Sequence, residues 1–226
     1  MCQKILYVFA HPDDETFSCG GTICHFHQSG HEQILFCATR GEAGKTGNPP
    51  LCTQEELGDV RTQELKNALS ILGMDRLILK NYGDGRLADK PFSTIVSELC
   101  SVMNEIRPDR IITFPPSGIS GHPDHKVIQK ATLTAVQNIS FPTKLYYIVI
   151  PESIARFYSA PVSFVPDEHV TEKVDVSPYH QQIAKALAAH KTQHLSVERV
   201  FPGVLAGKTG QLRKFEHFQL VVDKTS

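Results

Sequence analysis

Residues 4–10, "KILYVFA", form a nearly unbroken apolar run close to the start of the chain. A run of strand length without polar alternation predicts a strand buried on both faces, as in a parallel sheet. Phe17, Ile23 and Phe26 fall at roughly helical spacing over residues 16–29, and Gly30 supplies a stop. A second strand is predicted at "EQILFCAT" (32–39). The Gly- and Pro-rich stretch 40–54 then reads as a long loop, a feature that in compact domains is more often functional than idle. Thr53 with Glu56 is the start signature of a helix running to Gly73.

The alternation continues. "RLILKN" predicts a third strand, "YGDGR" a turn, and "PFSTIVSELCSVMNEIR" a helix closed by Pro108. "DRIITFPP" predicts a fourth strand, followed by the polar loop "SGISGHPDH", a helix over 126–138 and a fifth strand over 144–150. Beyond Pro151 the pattern weakens, with one further strand in "VTEKVDVS" and a helix in "YHQQIAKALAAHKTQ". No internal repeat or linker intervenes, so residues 1–226 read as a single domain. Alternating strands and helices predict an α/β fold, a three-layer sandwich around a mostly parallel sheet. Ligands of such sheets bind beyond the carboxyl ends of the strands, where both polar His-Pro-Asp loops fall.

Composition narrows the classes. The 226 residues carry 23 basic and 24 acidic side chains, a net charge of −1, and no Lys/Arg block, which argues against a nucleic-acid partner. No apolar run approaches the ~18 residues of a membrane span, and the amino-terminal run is too short for a secretory signal. The six cysteines include no Cys-x-x-Cys pair and read as reduced thiols in a cytoplasmic protein. Trp is absent, so a sugar ligand would have to be held by other groups.

The chemistry concentrates in "HPDDE" (11–15) and "HPDH" (122–125). Three consecutive acids at a strand end repel one another unless a cation sits among them or one is held protonated. Two histidines and one carboxylate drawn from these loops give the three-ligand, open-position pattern of catalytic zinc. The plainer reading of either motif is a helix N-cap, with Asp13 or Asp124 accepting a backbone N–H. Their recurrence after two parallel strands favours the metal. Elsewhere, Gly41–Gly44 matches no phosphate-binding pattern, and Arg61 with Glu64 reads as an i, i+3 surface pair. Asp84 reads as a turn residue, and His190 with His194 as a solvated or core-edge pair.

"AHPDDE" followed by "GG", "TRGEAG", a helical "R..E…LG", "GDG" and "GHPDH" resembles the PIG-L/LmbE family of zinc-dependent de-N-acetylases. "KALAAHKTQ" is similar to the family's late "H.SQ"-type helix, with Thr192 where Ser is usual. The resemblance implies a Rossmann-like fold and removal of the acetyl group from an N-acetylglucosamine-containing small molecule. It makes His11, Asp14 and His125 the Zn2+ ligands, Asp13 the general base, and His122 the oxyanion stabiliser kept charged and oriented by Asp124. It assigns Arg61 and Asp84 to substrate contact. Family members often form homo-oligomers. In the mycothiol-pathway branch a Tyr stands two positions before the first His of the second motif, where this chain has Ser120.

The same roles follow chemically, since zinc lowers the pKa of water and polarises an amide carbonyl, and a nearby carboxylate can take the proton. The rival readings are a two-His, one-carboxylate enzyme of another class, with non-haem Fe2+, and a non-catalytic metal- or nucleotide-binding module. A spare acid and a second His–Asp pair have no use in a pure binding site.

Overall fold

The computed structural model describes residues 2–157 and 161–225. Strand β1 (Lys4–Phe9) leads through the His11 turn into helix α1 (Asp14–Gln28), followed by β2 (Glu32–Cys37), α2 (Leu57–Leu72) and β3 (Arg76–Leu79). Next come α3 (Phe92–Ile106), β4 (Arg110–Thr113), a single helical turn α4 (Gly118–Gly121), α5 (Pro123–Asn138) and β5 (Lys144–Val149). The last part holds β6 (Glu172–Asp175), α6 (His180–Ala189), α7 (His194–Val200) and β7 (Phe215–Asp223).

The seven strands make one sheet in the order β3-β2-β1-β4-β5-β7-β6. β3 through β5 run parallel, whereas β7 pairs antiparallel with both β5 and β6. The chain winds outward from β1 to β3, then crosses back to lay β4 on the other side of β1. Loops leaving β1 and β4 therefore diverge to opposite faces and open a crevice between them. α1, α2 and α6 pack together on one face, and α3 and α5 pack together on the other. The apolar run 5–10 is wholly buried between these layers. The Tyr7 hydroxyl is satisfied there by donating to Gln33 Oε1 at 2.7 Å.

The fold is the expected Rossmann-like α/β sandwich, with differences at the element ends. α1 begins at Asp14 and α5 at Pro123, earlier than the periodicity predicts, because each motif loop is itself the helix start. Pro123 is preset for a first turn, and His122 Nδ1 accepts the Asp124 N–H there. The late helix stops at Ala189, where His190 (φ −81°, ψ 61°) breaks it before a 3₁₀ turn, Lys191–Gln193.

β7 was not anticipated by the apolar pattern. It has a second consequence, because α1 is kinked at Cys19 (φ −147°, ψ 27°). The buried carboxylate of Glu216 on β7 accepts the Gly21 and Thr22 N–H groups at 3.1 and 2.8 Å. Among the described residues no helix is long and apolar enough to cross a membrane, and the cysteines are unpaired.

Candidate active site

The site lies in the β1/β4 crevice. Asp14, the first residue of α1, folds its carboxylate back so that Oδ2 accepts the Ala10 and His11 N–H groups at 3.2 and 2.7 Å. This presents Oδ1 to His125 Nε2 at 3.2 Å, while Oδ2 stands 3.5 Å from His11 Nδ1. His125 Nε2 and His11 Nδ1 are themselves 3.3 Å apart.

Both imidazoles are held from behind. His125 is stacked on Phe114 at 4.0 Å with a 7° interplanar angle, and its Nδ1 is 3.0 Å from the Gly118 carbonyl. His11 Nε2 is 3.0 Å from Asp84 Oδ1 and 3.2 Å from Asp124 Oδ2. In each ring the outer nitrogen faces an acceptor and so carries the hydrogen, which leaves the inner nitrogen able to offer a lone pair to a cation.

Two ring nitrogens and a carboxylate thus converge. Bonds of ~2.0–2.1 Å to a tetrahedral zinc require donors about 3.4 Å apart; the two ring nitrogens are 3.3 Å apart, and the carboxylate meets His125 with Oδ1 at 3.2 Å and His11 with Oδ2 at 3.5 Å. These three side chains fit a metal ion. Burial opposes charge on His11, but Asp124, Asp14 and Asp84 outweigh it and raise its proton affinity. Burial likewise pushes Asp14 up, and His125 and His11 hold it well below the ordinary carboxylate range. Both directions describe a site that attracts positive charge. Donor atoms of His11, His122 and His125, and of His11, Asp84 and Asp124, also cluster within 4.8 Å. In the latter group the Asp124 oxygens are engaged by Gly85 and Leu87 N–H groups at 2.7 and 3.2 Å, as befits a carboxylate that orients His11.

Asp13 makes its contacts outside this cluster. Its backbone adopts φ 114°, ψ −26°, a conformation that side-chain-bearing residues keep only when their surroundings impose it. Its Oδ2 is 3.1 Å from Arg61 Nη2. Burial pushes the Asp13 carboxyl up to about 6; Arg61 pulls against that and Asp14 adds to it.

The Arg61 guanidinium is buried and donates to the carbonyls of Gly41, at 2.8 Å, and Pro12. The surface pair with Glu64 is therefore replaced. Glu64 turns instead to Thr192, accepting its N–H at 2.8 Å and its hydroxyl at 2.7 Å. Gly41 (φ +68°) makes room for Arg61, since a Cβ there would lie 2.2 Å from Nη1. Gln193 Nε2 fastens the same loop by donating to the Lys45 carbonyl at 2.8 Å.

The carboxylate of Asp124 faces His11 rather than His122, which it meets only through its backbone N–H. His122 is half-buried, and burial together with His11 and His125 pushes its pKa below that of a free imidazole. Because Nδ1 accepts from the Asp124 N–H, the ring is a neutral tautomer with its hydrogen on Nε2. Asp84 is clamped as well: its Oδ2 accepts the Ala43 N–H at 3.1 Å and its own N–H donates to Glu42 Oε1 at 2.9 Å.

Sequence reasoning gave Thr16 no part, read Glu15 as support for the metal-binding residues or the helix dipole, and read His190 with His194 as a solvated or core-edge pair. His190 is buried rather than solvated, with Nε2 3.5 Å from Glu15 Oε1. The only sequence signal was its place in the "H.SQ"-like segment.

The fold is shared with the 4-carboxy-2-hydroxymuconate hydratase GalB of Pseudomonas putida, at a TM-score of 0.70 and 17% identity over 99% of this chain and 98% of that one. A hydratase on this scaffold means that the fold alone does not decide the reaction. Sequence relatives are nearer. A Thermobifida fusca protein named "1D-myo-inositol 2-acetamido-2-deoxy-alpha-D-glucopyranoside deacetylase" is 29% identical over 97% of this chain and 93% of its own length. A Bacillus anthracis protein named "Probable N-acetyl-alpha-D-glucosaminyl L-malate deacetylase 2" is 32% identical over 84% of this chain and 81% of its own. The family profile described as PIG-L, GlcNAc-PI de-N-acetylase, matches residues 6–136, a span that contains both His-Pro-Asp loops and Arg61. By that match the chain belongs to the PIG-L family.

Proposed function

We propose that this protein is a metal-dependent N-deacetylase that releases acetate from a small N-acetylglucosamine conjugate, with the whole chain acting as one domain. The carrying observation is the convergence of His11 Nδ1, His125 Nε2 and the Asp14 carboxylate within 3.5 Å beside an acid, Asp13, that is not part of that cluster. His11, Asp14 and His125 would hold the metal, with Zn2+ first and Fe2+ also compatible with the donor set. When bound, such an ion acidifies water and polarises the amide carbonyl.

The chain's own residues supply the rest. Asp13, raised toward neutrality by burial yet kept ionisable by Arg61, takes the proton of the attacking water. Neutral His122 donates its Nε2–H to the oxygen that becomes negative as the carbonyl carbon turns tetrahedral. A neutral imidazole is a weak acid, so Asp13 returns its proton to the departing amine. Asp124 and Asp84 orient His11, and Arg61 acts on Asp13 rather than on substrate. Asp84 Oδ2 holds the 40–47 loop through the Ala43 N–H, which fits a role in shaping the entrance for the sugar. Thiols seated as buried apolar groups, Cys19, Cys24 and Cys37, support a cytoplasmic setting.

The test is acetate release from N-acetylglucosaminyl malate, N-acetylglucosaminyl inositol and N,N'-diacetylchitobiose, with metal content measured in parallel. Release from one conjugate that chelation abolishes and zinc restores is the expected result. A protein that binds no metal would overturn the reading.

A further inference from the structure

We propose that His190 is a positioning residue for Asp13, acting through Thr16 and the buried carboxylate of Glu15; the inference rests on the reading of Asp13 as proton acceptor. Glu15 is wholly buried at the start of α1. Its Oε2 accepts the Asp13 N–H at 3.2 Å, and its Oε1 accepts the Thr16 hydroxyl at 2.6 Å. Thr16 has one hydroxyl hydrogen, and Glu15 has it. Towards His190 Nε2, 3.3 Å away, the Thr16 oxygen can therefore only accept.

This fixes the direction of the whole chain of contacts. His190 carries its hydrogen on Nε2, aimed between Thr16 Oγ1 and Glu15 Oε1. Its Nδ1 is buried and has no partner among the described residues. A residue that merely filled the space between α1 and α6 would not leave such an atom unsatisfied.

Asp13 is the group that gains. Its φ of 114° is sustained from three sides: Glu15 holds the N–H, Phe17 N–H holds the carbonyl at 2.9 Å, and Arg61 holds the carboxylate. Releasing the first lets the backbone relax to an ordinary φ and swings the carboxylate off its line. His190 can serve as a fixed anchor because it stands at the break before the 3₁₀ turn, whose Thr192 and Gln193 are fastened to Glu64 and Lys45.

The test compares His190→Asn with His190→Gln in the full-length protein. The Gln amide reaches the position of Nε2; the Asn amide does not. The readouts are kcat, KM, metal content, and the exchange rate of the Asp13 backbone amide, followed by NMR in both metal-loaded and metal-free protein. For His190→Asn the expected result is a kcat lower by about 10- to 100-fold, with KM and metal stoichiometry held. Its Asp13 amide should exchange faster by at least about tenfold, with or without metal. His190→Gln should recover most of both.

Wild-type kcat and exchange in His190→Asn, or equal losses in the two variants, would overturn the proposal. Thr16→Val cuts the same chain at its middle and decides the matter should the His190 variants fail to fold. Asp13→Asn separates the two levels. Full turnover there overturns the reading of Asp13 itself, whereas its loss beside an unaffected His190→Asn overturns only the role of His190.

Discussion

Arg61 Nη2 stands 3.1 Å from Asp13 Oδ2, and the same guanidinium is bound to the carbonyls of Pro12 and Gly41. A residue on α2 thus ties the loop after β1 to the loop after β2 and sets the charge of the acid between them. The arrangement supports the proposed reading of Asp13 as a held base rather than a spare ligand.

Asp13→Asn should keep its metal and lose turnover by about 10²- to 10⁴-fold, the usual worth of a positioned general base. Steady-state kinetics with metal analysis checks this. Loss of the metal instead would exchange the roles of Asp13 and Asp14.

The pH profile should carry an acid limb set by Asp13. The base works only when ionised, so kcat/KM falls as pH drops through its pKa, about 6 before the pull of a bound cation lowers it. Arg61→Ala removes a neighbour that lowers that pKa, so the limb should move to higher pH. The same change strands a buried carboxylate and two carbonyls and should cost about 3–5 kcal/mol in urea unfolding. Arg61→Lys should recover only part, since one ammonium cannot meet three acceptors in the geometry of a planar fork.

His122→Ala should leave metal content unchanged and lower kcat by about 10²- to 10³-fold, as for other oxyanion donors. An unchanged kcat would remove His122 from the reaction.

Gly118→Ala tests the support of His125 without touching a donor atom. A Cβ there would fall 2.9 Å from His125 Cβ, at a backbone φ of +69°. The displaced ring should weaken metal binding by about 10- to 100-fold, the range for lost supporting contacts, as read by competition with a chromogenic chelator.

The two His-Pro-Asp loops were legible because their residues lie close together in sequence and each follows an apolar run of unmistakable strand length. What surrounds them was not. Arg61 and Glu64 are spaced as a surface pair, yet each is drawn inward by a partner far along the chain, Asp13 and Thr192. Asp124 sits two residues from His122 but addresses His11, because His122 is spent on capping α5 through Asp124's own amide. β7 escaped notice because "FEHFQLVVD" interleaves Glu216, His217 and Gln219 among its apolar residues. Glu216 looks like a surface residue until the kink in α1 supplies two amides to hold it.

That kink also bears on when the protein becomes functional. His11 and Asp14 leave the ribosome well before Glu216, whose carboxylate braces their helix. At ~5–20 residues per second, Glu216 follows by roughly ten to forty seconds. Until then the kinked segment has two bare amides, and the proposed ligands His11 and Asp14 stand at a helix that has not taken its final shape. Completion of the proposed metal site accordingly waits for β7, and a ribosome stalled before that strand would hold a site without its brace.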